Sequence, residues 1–102
     1  MFTETVTSIA ELLIERGETV SVAESSTGGL ISASLLSVPG ASAYFQGGSV
    51  VYTLASRRAF LDVDRDRVRE LKPLTEEMVA EFARAAREKL DTTWGIAELG
   101  AA

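Results

Sequence analysis

Short apolar runs rich in β-branched residues alternate with amphipathic helical segments along this chain, and that alternation constrains the fold more than any other feature. Val6, Ile9, Ala10 and Leu13 recur at helical spacing, and Gly17 follows Arg16 where a left-handed residue would close the helix. "ETVSVA" then reads as a strand over about residues 19 to 23. Leu30, Ile31, Ala33, Leu35 and Leu36 suit a buried helix, ended by the "VPGAS" turn at residues 38 to 42. "FQGGSVVYT" supplies a second strand in which Val50 and Val51 are expected to be buried. There, paired Gly47 and Gly48 permit close approach of a backbone or a ligand.

"ASRRAFL" reads as a short helix and "VDRDRVREL" as a charged, solvated one, broken at Pro73. Thr75 is an expected N-cap for a longer helix carrying Met78, Val79, Phe82, Ala86 and Leu90. Glu76 and Glu77 stand at its positive end, Arg87 and Lys89 near its negative end. "TTWGIA" closes the pattern as a third strand. The expectation is one domain over residues 1–102: a three-layer α/β/α arrangement whose sheet is mostly parallel or mixed and covered on both faces. Three strands are few for such a sheet, so the domain is expected to be incomplete at its C-terminus, completed by further sequence or by another subunit.

Composition narrows the chemistry. With no histidine and no cysteine among 102 residues, Ser-His-Asp catalysis, thiol nucleophiles and ordinary Cys/His zinc sites are all excluded. No metal or other cofactor is expected. Any catalysis falls to Ser, Thr, Tyr, Lys, Asp or Glu. A formal charge of -5 argues against nucleic acid as a partner, which clustered Lys and Arg would have to neutralise. No apolar run reaches the ~18 residues of a membrane span, and the first 20 residues lack a secretory pattern, so no membrane association and a cytoplasmic location are expected.

The strand-to-helix junction "VAESSTGG" carries the chemistry. The first N–H groups of a helix have no partner within it, and Gly28 and Gly29 permit close approach, so Ser26, Thr27, Gly28 and Gly29 are candidate binders of a phosphate or oxyanion. The simpler alternative is that Ser25, Ser26 or Thr27 caps the helix and the glycines only make the turn. No Walker lysine follows the glycines, and no Ser-x-x-Lys pair is present.

"VAESSTGGLISASLLSVPGASAYFQGGSVVYT" resembles the C-terminal domain of the competence/damage-inducible protein CinA, the nicotinamide-nucleotide amidohydrolase family. That family's pattern runs A-E-S-C/S-T-G-G, V-P-G-S/A-S and G-G-x-V-x-Y. The likeness continues through "LTEEMVAEFARAAREKL" and "GIAELG". It implies metal-independent hydrolysis of a small phosphorylated amide, nicotinamide mononucleotide, to nicotinate mononucleotide and ammonia. Ser25 falls on the nucleophile and Tyr52 on the tyrosine of the Y-S-N-E-A-K segment, where it would take the serine proton. Here that segment reads "YTLASR": Arg57 occupies the lysine position, and Leu54 and Ala55 replace Asn-Glu. Arginine stays protonated and cannot be a base, though its guanidinium could hold a phosphate or lower the pKa of a neighbouring serine or tyrosine. The two lysines, Lys72 and Lys89, lie outside these motifs. The family's Thr/Ser-Gly-x-Ala-Gly-Pro turn is replaced by "ELGAA", with Leu99 at the hydroxyl position. An alternative function follows from these departures: a non-catalytic domain that keeps an anion-binding loop and an assembly role. In either case a homo-oligomer is expected, because a sheet short of strands leaves apolar faces to bury.

Overall fold

The computed structural model describes residues 2–63, 66 and 74–100. Helix α1 (Thr3–Arg16) leads into strand β1 (Val20–Glu24), α2 (Leu30–Leu36), a 3₁₀ turn at Ala41–Ala43, and β2 (Phe45–Val50). Helix α3 (Leu54–Leu61), α4 (Glu76–Leu90) and β3 (Trp94–Ala97) follow. The charged helix expected over residues 63–71, with Lys72 and Pro73, lies almost wholly outside the described residues.

Both neighbours of β1 run parallel to it, and the strand order is β2-β1-β3. The sheet of the described residues is therefore parallel throughout, with β1 at its centre and buried at all five positions. Alternation along β1 divides the core. Val20 and Val22 pack with Val6, Ala10 and Leu13 of α1 and Leu35 of α2, while Ala23 packs with Leu61 of α3 and Phe82, Ala85 and Ala86 of α4. Helices thus cover both faces, as the three-layer expectation requires. A parallel strand buried on both sides can hold polar groups only if they are satisfied. Ser21 meets this condition by donating to the Ala86 carbonyl at 2.7 Å, with the Thr92 hydroxyl 2.9 Å away.

Local signals explain the helix ends. Gly17 closes α1 in the left-handed region at φ 64°, its N–H donating to the Ile14 and Leu13 carbonyls. Thr75 caps α4 by accepting from the Met78 N–H, and Thr53 caps α3 in a reciprocal box with Ser56. Gly47 and Gly48 allow close approach from protein on opposite faces: a Cβ on the first would meet Leu90, and one on the second would meet Ser32.

Several burial expectations are corrected. Within α2 only Leu35 is buried, whereas Leu30, Ala33 and Leu36 are exposed, because the seven-residue helix presents one narrow stripe to the sheet. Val50 is exposed at the end of β2, and Val51, fully buried, lies just beyond the strand. Ile9 and Leu90 are also exposed. Tyr44 takes a core place the periodicity did not mark: it is fully buried, and its hydroxyl donates to the Leu35 carbonyl at 2.5 Å.

Candidate active site

In a parallel α/β sheet the carboxyl ends of adjacent strands form the natural crevice for a ligand. Here three such ends meet. β1 runs into Ser25–Gly29, β2 into Val51–Thr53, and β3 into Glu98–Gly100. Ladder bonds continue past the strands, with the Val51 N–H on the Glu24 carbonyl at 2.7 Å and the Glu98 N–H on the Ala23 carbonyl at 3.0 Å.

The loop after β1 is organised by two carboxylates. Glu24, fully buried, accepts from the N–H groups of Gly29 (3.2 Å), Ile31 (2.9 Å) and Ser32 (2.8 Å), so it caps α2 from the end of the preceding strand. Glu98 Oε1 accepts from the Ser25 N–H at 2.8 Å and the Thr27 N–H at 3.0 Å. Between them stands the Thr27 hydroxyl, 2.6 Å from Glu24 Oε1 and 2.7 Å from Glu98 Oε1, with a single proton to offer the pair. The expectation that these donors point outward without partners is corrected: the protein's own acids occupy them. Gly28 and Gly29 serve the turn, with φ of 62° and 105°, and the Gly28 N–H bonds back to the Ser25 carbonyl. Ser26 is exposed.

Burial pushes both carboxyls up. For Glu24 the Thr27 hydroxyl and the Ser32 and Ile31 N–H groups outweigh that effect, and for Glu98 the N–H groups of Thr27, Ser25 and Ser26 and the Thr27 hydroxyl do, leaving both below the ordinary 4.5. A carboxyl held low in the folded state stabilises the fold fully above its ordinary value, and that contribution is lost as pH falls through the folded value. Urea midpoints are therefore expected to be level above pH 4.5 and to drop below it, less steeply in Glu24→Gln. An identical acid limb in wild type and variant would remove Glu24 from the effect.

Ser25 is 4% exposed. Its Oγ faces Arg57 Nη2 at 3.5 Å, a long contact at the limit of hydrogen bonding. The guanidinium is held independently of the serine: Nε donates to the Val51 carbonyl at 3.0 Å, and the group lies 5.1 Å from the centroid of the Phe82 ring. Tyr52, by contrast, is 63% exposed and makes no hydrogen bond to another described residue. The structure thus brings together Ser25, Thr27 and Arg57 and leaves Tyr52 at the rim. Glu24 and Glu98 are the residues the sequence reading missed as loop partners. An acid ending an otherwise apolar buried strand is a signal for the first. Glu98 has no local signal, because its partners lie 71 to 73 residues away.

The fold and this crevice define a parallel α/β/α domain with a serine on the loop after its central strand and a fixed cation beside it. Residues 3–102 match the CinA C-terminal domain, and the chain belongs to that family. It is 40% identical over 100 residues to a CinA-like protein of Parasynechococcus marenigrum, an alignment covering 97% of this chain and 24% of that protein. The chain thus spans about a quarter of the length of that relative. A competence/damage inducible protein from Agrobacterium tumefaciens superposes with a TM-score of 0.80 at 28% identity, over 89% of this chain and 55% of the other. A CinA superfamily protein from Escherichia coli has the same fold, with a TM-score of 0.81 at 23% identity over 90% of this chain and 54% of the other. Among the described residues no helix is long and apolar enough to cross a membrane.

Proposed function

We propose that this domain hydrolyses the carboxamide of a small phosphorylated amide of the nicotinamide mononucleotide type, with Ser25 as nucleophile. The observation that carries this reading is the guanidinium of Arg57, anchored on Val51 and Phe82 with its Nη2 directed at the Ser25 Oγ. A permanent charge beside a serine hydroxyl stabilises negative charge developing on that oxygen as it loses its proton and on the amide oxygen as the serine adds. Ser25 Oγ adds to the amide carbon, and its proton passes, directly or through a water, to the Tyr52 hydroxyl, which gives up its own proton towards the amide nitrogen. The C–N bond then breaks, and ammonia leaves after taking a proton. Water hydrolyses the resulting ester, restoring Ser25 and releasing the carboxylic acid.

One observation favours a second reading, a non-catalytic domain with an assembly role: the loop donors are filled by Glu24 and Glu98, and the position that needs a base holds Arg57. Incubation with nicotinamide mononucleotide separates the two. Ammonia and nicotinate mononucleotide formed in equal amounts are expected; a folded protein that forms neither supports the second reading.

A further inference from the structure

Two backbone donors of one turn converge on a single oxygen. The Ser25 and Thr27 N–H groups reach Glu98 Oε1 at 2.8 and 3.0 Å, and the Thr27 hydroxyl, whose one proton is shared with Glu24 Oε1, stands 2.7 Å away. That convergence is the geometry of an oxyanion hole, and its first donor belongs to the residue that bears the candidate nucleophile. The oxygen filling it comes from the far end of the chain and not from the turn itself. Glu98 is already fixed by its backbone, whose N–H bonds the Ala23 carbonyl, so its carboxylate can leave by side-chain rotation while β3 stays in register. Glu24 has no such latitude, being fully buried and committed to three N–H groups at the start of α2. With the Glu98 carboxylate in place, Ser25 is 4% exposed.

We propose that Glu98 is an autoinhibitory plug whose carboxylate occupies the hole that the substrate's amide oxygen takes. The substrate assignment rests on the amidohydrolase reading; the plug does not. Charge decides which part of a phosphorylated amide enters. When Glu98 swings away, Glu24 Oε1 remains 2.6 Å from the same Thr27 hydroxyl. A phosphate would sit against a buried anion there, whereas a neutral amide oxygen carries only partial charge and accepts the Ser25 and Thr27 N–H groups. The donors of Ser25 and Thr27 therefore select the carboxamide. Arg57, anchored on the Val51 carbonyl with Nη2 3.5 Å from the Ser25 Oγ, is a cation placed for negative charge on the ligand or the transition state.

The test titrates nicotinamide mononucleotide into ¹⁵N-labelled wild type, Glu98→Ala and Glu98→Gln, reading affinity together with the amide signals of Ser25 and Thr27. Glu98→Ala is expected to bind roughly tenfold tighter, the equivalent of one charge-assisted hydrogen bond no longer displaced, with both amides shifting on addition. Glu98→Gln, whose carboxamide oxygen still fits the hole but accepts more weakly, is expected to fall between. No gain in Glu98→Ala, or a gain without movement of those two amides, overturns the plug. If that variant does not fold, wild-type affinity in Glu98→Gln does so. Inorganic phosphate that moves the same amides in Glu98→Ala would overturn the assignment to an amide oxygen. Acetamide separates this proposal from the reading beneath it. Shifts of Ser25 and Thr27 with acetamide, in a protein that never releases ammonia from nicotinamide mononucleotide, uphold the plug and remove the amidohydrolase.

Discussion

Glu24→Ala is expected to cost about 3 to 5 kcal/mol of folding stability, because three backbone donors lose their acceptor at once, while the Thr27 hydroxyl keeps Glu98. The magnitude follows from asymmetry: making a hydrogen bond gains little over water, whereas leaving a buried donor unmade costs roughly 1 kcal/mol or more. The site is also at the middle of the fold. Glu24 ends the central strand, and Val51 just past β2 and Glu98 just past β3 are held by ladder bonds at its own and the preceding carbonyl. Against a total stability of ~5 to 15 kcal/mol, such a loss places the variant near unfolding. Glu24→Gln keeps the volume and one acceptor oxygen and is expected to lose less. Equilibrium urea unfolding measures both. A Glu24→Ala midpoint within about 1 kcal/mol of wild type would mean that water reaches the start of α2 and satisfies the donors instead.

Ser25→Ala is expected to lower the rate of ammonia release from nicotinamide mononucleotide by at least ~10²-fold while leaving the fold intact, since covalent catalysis has no bypass of similar rate. The stability side follows from the contacts. Among the described residues Ser25 Oγ receives only the long 3.5 Å approach of Arg57, whereas the loop is held by the Ser25 and Thr27 backbone and by Glu24. Removing the hydroxyl therefore leaves the turn's hydrogen bonds in place. A drop in kcat with an unchanged urea midpoint is the expected signature. A parallel fall in stability would mean that Ser25 matters to the loop and not to the reaction.

Much of this architecture is written in local patterns. The strand-turn-helix unit at Val20 to Leu36, the Thr75 cap, Gly17 at the end of α1 and the close approach at Gly47 and Gly48 all depend on neighbours in sequence. Arg57 also comes near the Ser25 loop by register alone, one turn into the helix that follows β2. What escaped is set by distant partners. Burial in α2 depends on where α1 and the sheet lie, so Leu30 and Leu36 read as core and stand exposed. Tyr44 looks like a turn residue until the Leu35 carbonyl is placed above it. The occupied loop is the clearest case. Glycines and hydroxyls at a helix start advertise open donors, yet a strand-end acid and a carboxylate from beyond β3 satisfy them. Spacing within "AESSTGG" carries no information about Glu98.

The central claim, that Ser25 is the nucleophile, is tested most directly by rapid quenching of the reaction with nicotinamide mononucleotide and mass mapping of the protein. The expected result is an acyl ester on the peptide containing Ser25, one carboxamide substrate added and one ammonia lost, absent in Ser25→Ala. Ammonia release in which no ester forms at any time, or an ester borne by another residue, would contradict it.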